Sequence, residues 1–186
     1  MVDLARRVVV TGAAGRLGAE IASRLAAQGR LLAGTDIVSG PYVSSTLDLN
    51  DAACGPDLLA LMQEADAVVH AAAHPGPSST APPGVDPAKA RAASKAIGLE
   101  SVDPLALGLD NLVSTMRVFD AAARAQVSRV VFSSSAFAMG WSHDAQQMSP
   151  RGGLPLREED AQPFETYGLS KLCGEQASAM YARATG

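Results

Sequence analysis

Cysteine is almost missing from this chain: 186 residues carry only Cys54 and Cys173, far apart in sequence. That removes any disulfide framework and any cysteine-built zinc site, and free thiols in a reducing cytoplasm are the expectation. Histidine is nearly as scarce. His70, His74 and His143 stand at no metal-ligand spacing with the two cysteines, so we expect no metal and assign all five residues structural or surface roles. Aromatic residues make up 4% of the chain, which leaves the core to aliphatic side chains and to helices packed closely on alanine. Basic charge is not in excess. A net charge of −4 provides no electrostatic footprint for nucleic acid or an anionic membrane. No apolar run approaches the ~20 residues that cross a bilayer, and the opening "MVDLARRVVVTG" lacks the long apolar stretch of a signal peptide.

What is present is an alternation. "RRVVVTG" is a β-branched run closed by glycine and reads as a buried strand. Leu17, Ile21 and Leu25 follow at i, i+4 and i+8, the apolar stripe of a helix ending near Gly29. "RLLAGTDI" predicts a second strand, "PYVSSTLDL" a weaker third, "DLLALMQEA" a helix and "DAVVHAAA" a fourth strand. The stretch at 76–103 opens with "GPSSTAPPGVDP" and predicts a loop-rich insertion, with room for a short helix at 88–97. A long helix is expected from about Pro104 to Ala125, and "SRVVFSSS" is a fifth strand. After a second loop-like region the last helix runs from about Tyr167 to Ala184. The length suits one domain with a substantial core. Aliphatic strands alternating with helices predict an α/β fold: a doubly wound parallel sheet of about five strands, covered by helices on both faces. Ligands of such sheets bind at the carboxyl ends of the strands.

At the first of those ends lies "TGAAGRLG", with glycines at 12, 15 and 18. A turn without Cβ atoms lets backbone N–H groups approach a diphosphate, and the helix that follows turns its positive end toward it. Glycines also serve ordinary strand-to-helix turns. Asp36 closes the second strand, where a carboxylate can accept hydrogen bonds from a ribose diol and repel a 2′-phosphate. It also suits a simple turn cap. Together the two features favour NAD over NADP, with Arg16 and Arg30 as the residues that weaken that preference.

Taken in order, "TGAAGRLG", Asp36, "HAAA", "SSS" and "YGLSK" resemble the extended short-chain dehydrogenases/reductases, the NAD-dependent epimerase/dehydratase family, from about Arg6 to Gly186. The resemblance implies one NAD(P)-binding Rossmann-like domain over 1–186. It also implies a list of cofactor residues. Gly12, Gly15 and Gly18, with Arg16 and Leu17, belong to the diphosphate turn; Asp36 and Ile37 to the adenosine ribose; Asp48 and Leu49 to the adenine; Ala71, Ala72 and Ala73 to the small-residue loop after the fourth strand. Asn111 and Ser133 join them, as do Tyr167 and Lys171. The implied catalytic set is Ser135, Tyr167 and Lys171, with Ser134 the weaker choice of serine. Met139 stands where many sugar-nucleotide epimerases carry a tyrosine. Members of the family continue past this helix with a further strand and a smaller substrate domain, so the chain is expected to lack that domain. They often pair through the helices matching 104–125 and 167–184, which allows a homodimer, although the alanine-rich faces "DAAARA" and "EQASAMYARA" suit packing on the chain's own sheet equally well. The implied substrate is a sugar-like small molecule.

The chemistry explains the residue types. Hydride transfer between a secondary alcohol and nicotinamide moves a proton to or from the oxygen. A free phenol titrates near pH 10, and a nearby ammonium lowers that value. Tyr167 and Lys171, at i and i+4, emerge on one helix face. The same spacing also describes an ordinary surface pair. The chain has only three tyrosines and three lysines, so chance places such a pair in on the order of one chain in twenty. Two functions are open to these residues: an NAD-linked oxidoreductase or epimerase, or a dinucleotide-binding module without turnover of its own.

Overall fold

The computed structural model describes residues 7–74, 104–140, 157–163 and 165–185. The strands are β1 (Val8–Thr11), β2 (Leu31–Asp36), β3 (Ser45–Thr46), β4 (Ala67–His70) and β5 (Arg129–Phe132). The helices are α1 (Arg16–Ala27), α2 (Gly55–Met62), α3 (Pro104–Arg124) and α4 (Thr166–Thr185). All strand pairings are parallel, in the order β3-β2-β1-β4-β5. This is the expected doubly wound, Rossmann-like sheet. The expected insertion at 76–103 and its helix at 88–97 lie outside the described residues.

β1 shows why the sequence folds this way. Successive strand residues point to opposite faces, so a strand covered on both sides must be apolar throughout. Val9 enters one core with Ala33, Leu58, Met62, Val68, Val118 and Ala122. Val8 and Val10 enter the other with Ala13, Ala22 and Ala67, flanked by Ile21 and Leu25. Each fully buried aliphatic side chain contributes about 1.5–3 kcal/mol.

The apolar stripe read along α1 needs one correction. Ile21 and Leu25 pack inward, but Leu17 is 53% exposed, and the buried residues of the helix are Gly18 and Ala22. A helix that seats on a sheet through glycine and alanine approaches too closely for a leucine at the same end. Three short 3-10 turns among the described residues were also not foreseen: Ala52–Cys54, Ala136–Met139 and the exposed Glu158–Asp160, the last inside the second loop-like region.

Contacts divide the chain into two compact units. The first holds 7–73, 113–133 and 175–185, and with them the whole sheet; the second holds 74, 104–112, 134–140, 157–163 and 165–174. Among the described residues no helix is long and apolar enough to cross a membrane.

Candidate active site

In the first unit, β1 ends in a turn whose glycines are dictated by space. Gly12 adopts φ +73°, and a Cβ there would lie 2.6 Å from the Ala72 nitrogen. A Cβ on Gly18 would collide with the Gly12 carbonyl oxygen. Gly15 has more room, 3.2 Å from that oxygen, and is exposed. The turn is tied to β2 by Gly12 N–H and Ala13 N–H donating to the Thr35 carbonyl at 2.8 and 3.1 Å. Gly15 is the N-cap of α1, and no side chain caps that helix start. The first amides of a helix have no partner within it, so this exposed, uncapped end offers donors and positive potential to an anion. The side chains of Arg16 and Leu17 are exposed beside it.

Asp36 ends β2 half-buried. One carboxylate oxygen accepts from Ala14 N–H at 2.9 Å and the other from Ile37 N–H at 2.7 Å, so this residue binds the glycine turn as well as facing outward. Both sequence readings of Asp36, turn cap and diol acceptor, are compatible with this geometry. Ile37 is 57% exposed. Asp48 is exposed and accepts from Asn50 N–H; Leu49 turns its side chain into the core, while its carbonyl accepts from Arg117 at 2.7 Å. Ala71, Ala72 and Ala73 are half-buried, with Ala71 N–H donating to the Thr11 carbonyl. Ser133 N–H donates to the His70 carbonyl. These residues fit the diphosphate and ribose of a dinucleotide: small where backbone must be approached, acidic where a diol is to be held.

His70 proves to be a structural residue of the first unit. It is fully buried, its ring nitrogens lie 2.7 Å from the Thr11 hydroxyl and 3.1 Å from the Thr115 hydroxyl, and its ring stacks on Phe132. Cys54 is buried as well, and burial pushes its thiol up, away from the reactive thiolate.

The second unit holds the three residues expected to do the acid–base work. Ser135 follows β5, and its hydroxyl accepts from Phe137 N–H and forms a hydrogen bond with Tyr167. Tyr167 lies in the first turn of α4, edge-on to Phe137 at 6.1 Å, with the Lys171 ammonium 5.6 Å from its ring centre. Ser134 is exposed. The expected lowering of the phenol by the lysine is not what the structure shows. Burial pushes Tyr167 up, the Glu165 carboxylate adds to that, and the Ser135 hydrogen bond works against it. Lys171 is 4% exposed, and burial brings it down to about 8. Desolvation is the leading cause of both shifts.

Asn111, expected beside the cofactor, clamps backbone: its amide oxygen accepts from His74 N–H at 2.7 Å and its nitrogen donates to the His74 carbonyl at 3.0 Å. Three residues around the phenol were not singled out from sequence: Glu165, Gly168 and Phe137. The signal for the first was its place two residues ahead of the tyrosine, and for the second a glycine inside the motif.

The family model for "NAD dependent epimerase/dehydratase family" matches residues 85–186, more than half of the chain. The chain belongs to this family. The family is NAD dependent, in keeping with the cofactor read from the glycine turn and Asp36. Solved structures agree in fold. A short-chain dehydrogenase/reductase superfamily protein from Agrobacterium tumefaciens with bound NAD is 27% identical, at a TM-score of 0.65 over 96% of this chain and 46% of that one. A UDP-galactose 4-epimerase is 27% identical, at 0.67 over 97% and 52%. Uronate dehydrogenase from Agrobacterium tumefaciens is 25% identical, at 0.65 over 97% and 57%. This member thus spans about half the length of the solved chains it matches. No curated protein matches it.

Proposed function

We propose that this chain carries the dinucleotide-binding and acid–base part of an NAD-dependent oxidoreductase or epimerase acting on a hydroxyl or carbonyl of a sugar or sugar nucleotide. One observation carries the proposal. Ser135, Tyr167 and Lys171, the three residues that the family resemblance names, meet around a single half-buried phenol in one compact unit. When bound, NAD supplies the acceptor or donor of hydride. The protein's part is the proton. Tyr167 takes it from the substrate hydroxyl during oxidation and returns it during reduction; Ser135 orients the substrate oxygen against the phenol; Lys171 holds the nicotinamide ribose and supplies positive charge. The Gly12–Gly18 turn and Asp36 hold the diphosphate and adenosine ribose, with Asp36 favouring NAD over NADP.

The substrate class rests on the relatives, among them a UDP-galactose 4-epimerase and a uronate dehydrogenase. A homodimer through α3 and α4 accompanies the reading, supported by Leu105, Leu109 and Leu169, which are 60%, 54% and 50% exposed. The cytoplasm is the compartment that the free thiols favour.

A second reading is a dinucleotide-binding module without turnover of its own. Mixing the protein with NAD and a panel of uronic acids, aldoses and sugar nucleotides, and following reduced nicotinamide by absorbance, decides between them. Turnover that Tyr167→Phe abolishes supports the enzyme. Calorimetric NAD binding with no turnover on any substrate supports the module.

A further inference from the structure

The catalytic helix begins in an unusual way. Ser, Thr, Asp and Asn are the preferred N-cap residues, because a short side-chain oxygen reaches the free amides of the first turn. Thr166 is available, yet α4 starts at Thr166 and Glu165 caps it: the Glu165 carbonyl accepts from Leu169 N–H at 3.0 Å, the first helical bond. Its carboxylate curls back onto the same turn. One oxygen accepts from Tyr167 N–H at 2.8 Å and the other from Gly168 N–H.

Glutamate fits this role only because a glycine stands three residues later. A Cβ on Gly168 would lie 2.8 Å from the Glu165 oxygen and would collide with the Phe137 carbonyl. Glycine at 168 thus admits the folded-back carboxylate on one side and the segment carrying Ser135 on the other. A chain of contacts thus runs from Glu165 through Gly168 and Phe137 to Ser135, whose hydroxyl meets the phenol.

We propose that Glu165 is a positioning residue for Tyr167: it caps the catalytic helix through the amides of Tyr167 and Gly168 and fixes one negative charge beside the phenol. The inference rests on the reading of Tyr167 as the proton-transfer residue and adds to it a control over the pH at which the phenol works. Among the described residues the groups facing Tyr167 are few. From its own helix come Glu165 and Lys171; from the segment after β5 come the uncharged Ser135 and Phe137; α3 meets the helix start through Gly108 against Thr166. A carboxylate beside a phenol opposes its ionisation, and burial acts in the same direction. Glu165 therefore acts with burial to hold the phenol protonated to higher pH.

The test is an ultraviolet phenolate titration of the full chain. The Tyr167 signal is isolated by subtracting the titration of the Tyr167→Phe variant, which removes the contributions of Tyr42 and Tyr181. Glu165→Ser keeps a capping oxygen without charge, Glu165→Gln keeps length without charge, and Glu165→Asp keeps charge and cap. The Ser and Gln variants are expected to titrate at lower pH than the parent, and the Asp variant with the parent. Ser and Gln variants titrating with the parent would overturn the inference; so would an Asp variant that moves down with them, because reach rather than charge would then govern. A variant that fails to fold, seen by circular dichroism, leaves the remaining two to decide. The titration requires no turnover. A downward shift in a chain that converts no substrate sinks the enzyme reading alone, whereas turnover without the shift sinks this inference alone.

Discussion

The Lys171 ammonium lies 5.6 Å from the centre of the Tyr167 ring, and burial moves the two groups' proton affinities in opposite directions. Lys171 falls from 10.5 to about 8, so the unfolded chain holds this proton at higher pH than the folded one. The lysine's contribution to stability is therefore greatest above pH 10.5 and is lost as pH falls through about 8. Tyr167, raised from 10, acts the other way and only above pH 10. Between these limits the lysine sets the slope of this pair. Lys171→Met should be more stable than the parent at pH 7, by on the order of 1–3 kcal/mol, with the difference shrinking toward pH 10. Urea unfolding at a series of pH values measures it, and a pH-independent difference would contradict the assignment.

The glycines of the first turn should separate folding from binding. Gly12→Ala and Gly18→Ala place a Cβ against backbone, at the Ala72 nitrogen and the Gly12 carbonyl, and should destabilise by more than about 3 kcal/mol or fail to fold. Gly15→Ala meets only one contact, at 3.2 Å, on an exposed residue. It should unfold within a few degrees of the parent yet bind NAD at least tenfold more weakly, read by thermal unfolding and calorimetry.

Asp36 serves two ends, and one substitution exposes both. Asp36→Asn keeps an acceptor for Ala14 N–H or Ile37 N–H but removes the charge. NAD affinity should fall about tenfold, a loss of ~1.4 kcal/mol, while discrimination against NADP narrows. Isothermal titration with each dinucleotide gives the ratio; an unchanged ratio would remove Asp36 from the ribose.

His70 joins β1, β4 and α3 through the hydroxyls of Thr11 and Thr115. His70→Leu keeps bulk and strips both buried hydroxyls of this partner, so a loss of about 2–4 kcal/mol in unfolding free energy is expected. A double-variant cycle with Thr11→Val separates the Thr11–His70 contact from the bond that Ala72 N–H donates to the same hydroxyl at 3.4 Å.

Much of this architecture is visible in the residues themselves. β1 reads from "VVVT" because a strand covered on both faces allows no polar break, and the parallel order follows from the helices between strands. Leu17 misleads because periodicity reports spacing, not how closely a helix approaches; Gly18 and Ala22 settle that approach, and small side chains carry little weight in a hydrophobic pattern. At the candidate site, Ser135, Tyr167 and Lys171 were singled out by order and spacing, and all three lie in one unit of the structure. The direction of the phenol's shift was not legible, because desolvation depends on neighbours that only the fold supplies, and Glu165 stayed hidden because cap preferences point to Thr166.

The sheet order has a consequence for synthesis. β1 precedes its sheet neighbours in the sequence, yet it lies between β2 and β4, and Val9 pairs with both Ala33 and Val68. One flank can zip as soon as β2 emerges; the other waits for residues 67–70, and β4 in turn waits for 129–132. A nascent chain of this design carries a half-formed, apolar centre for much of its translation, which makes chaperone capture and slow maturation properties of the topology itself.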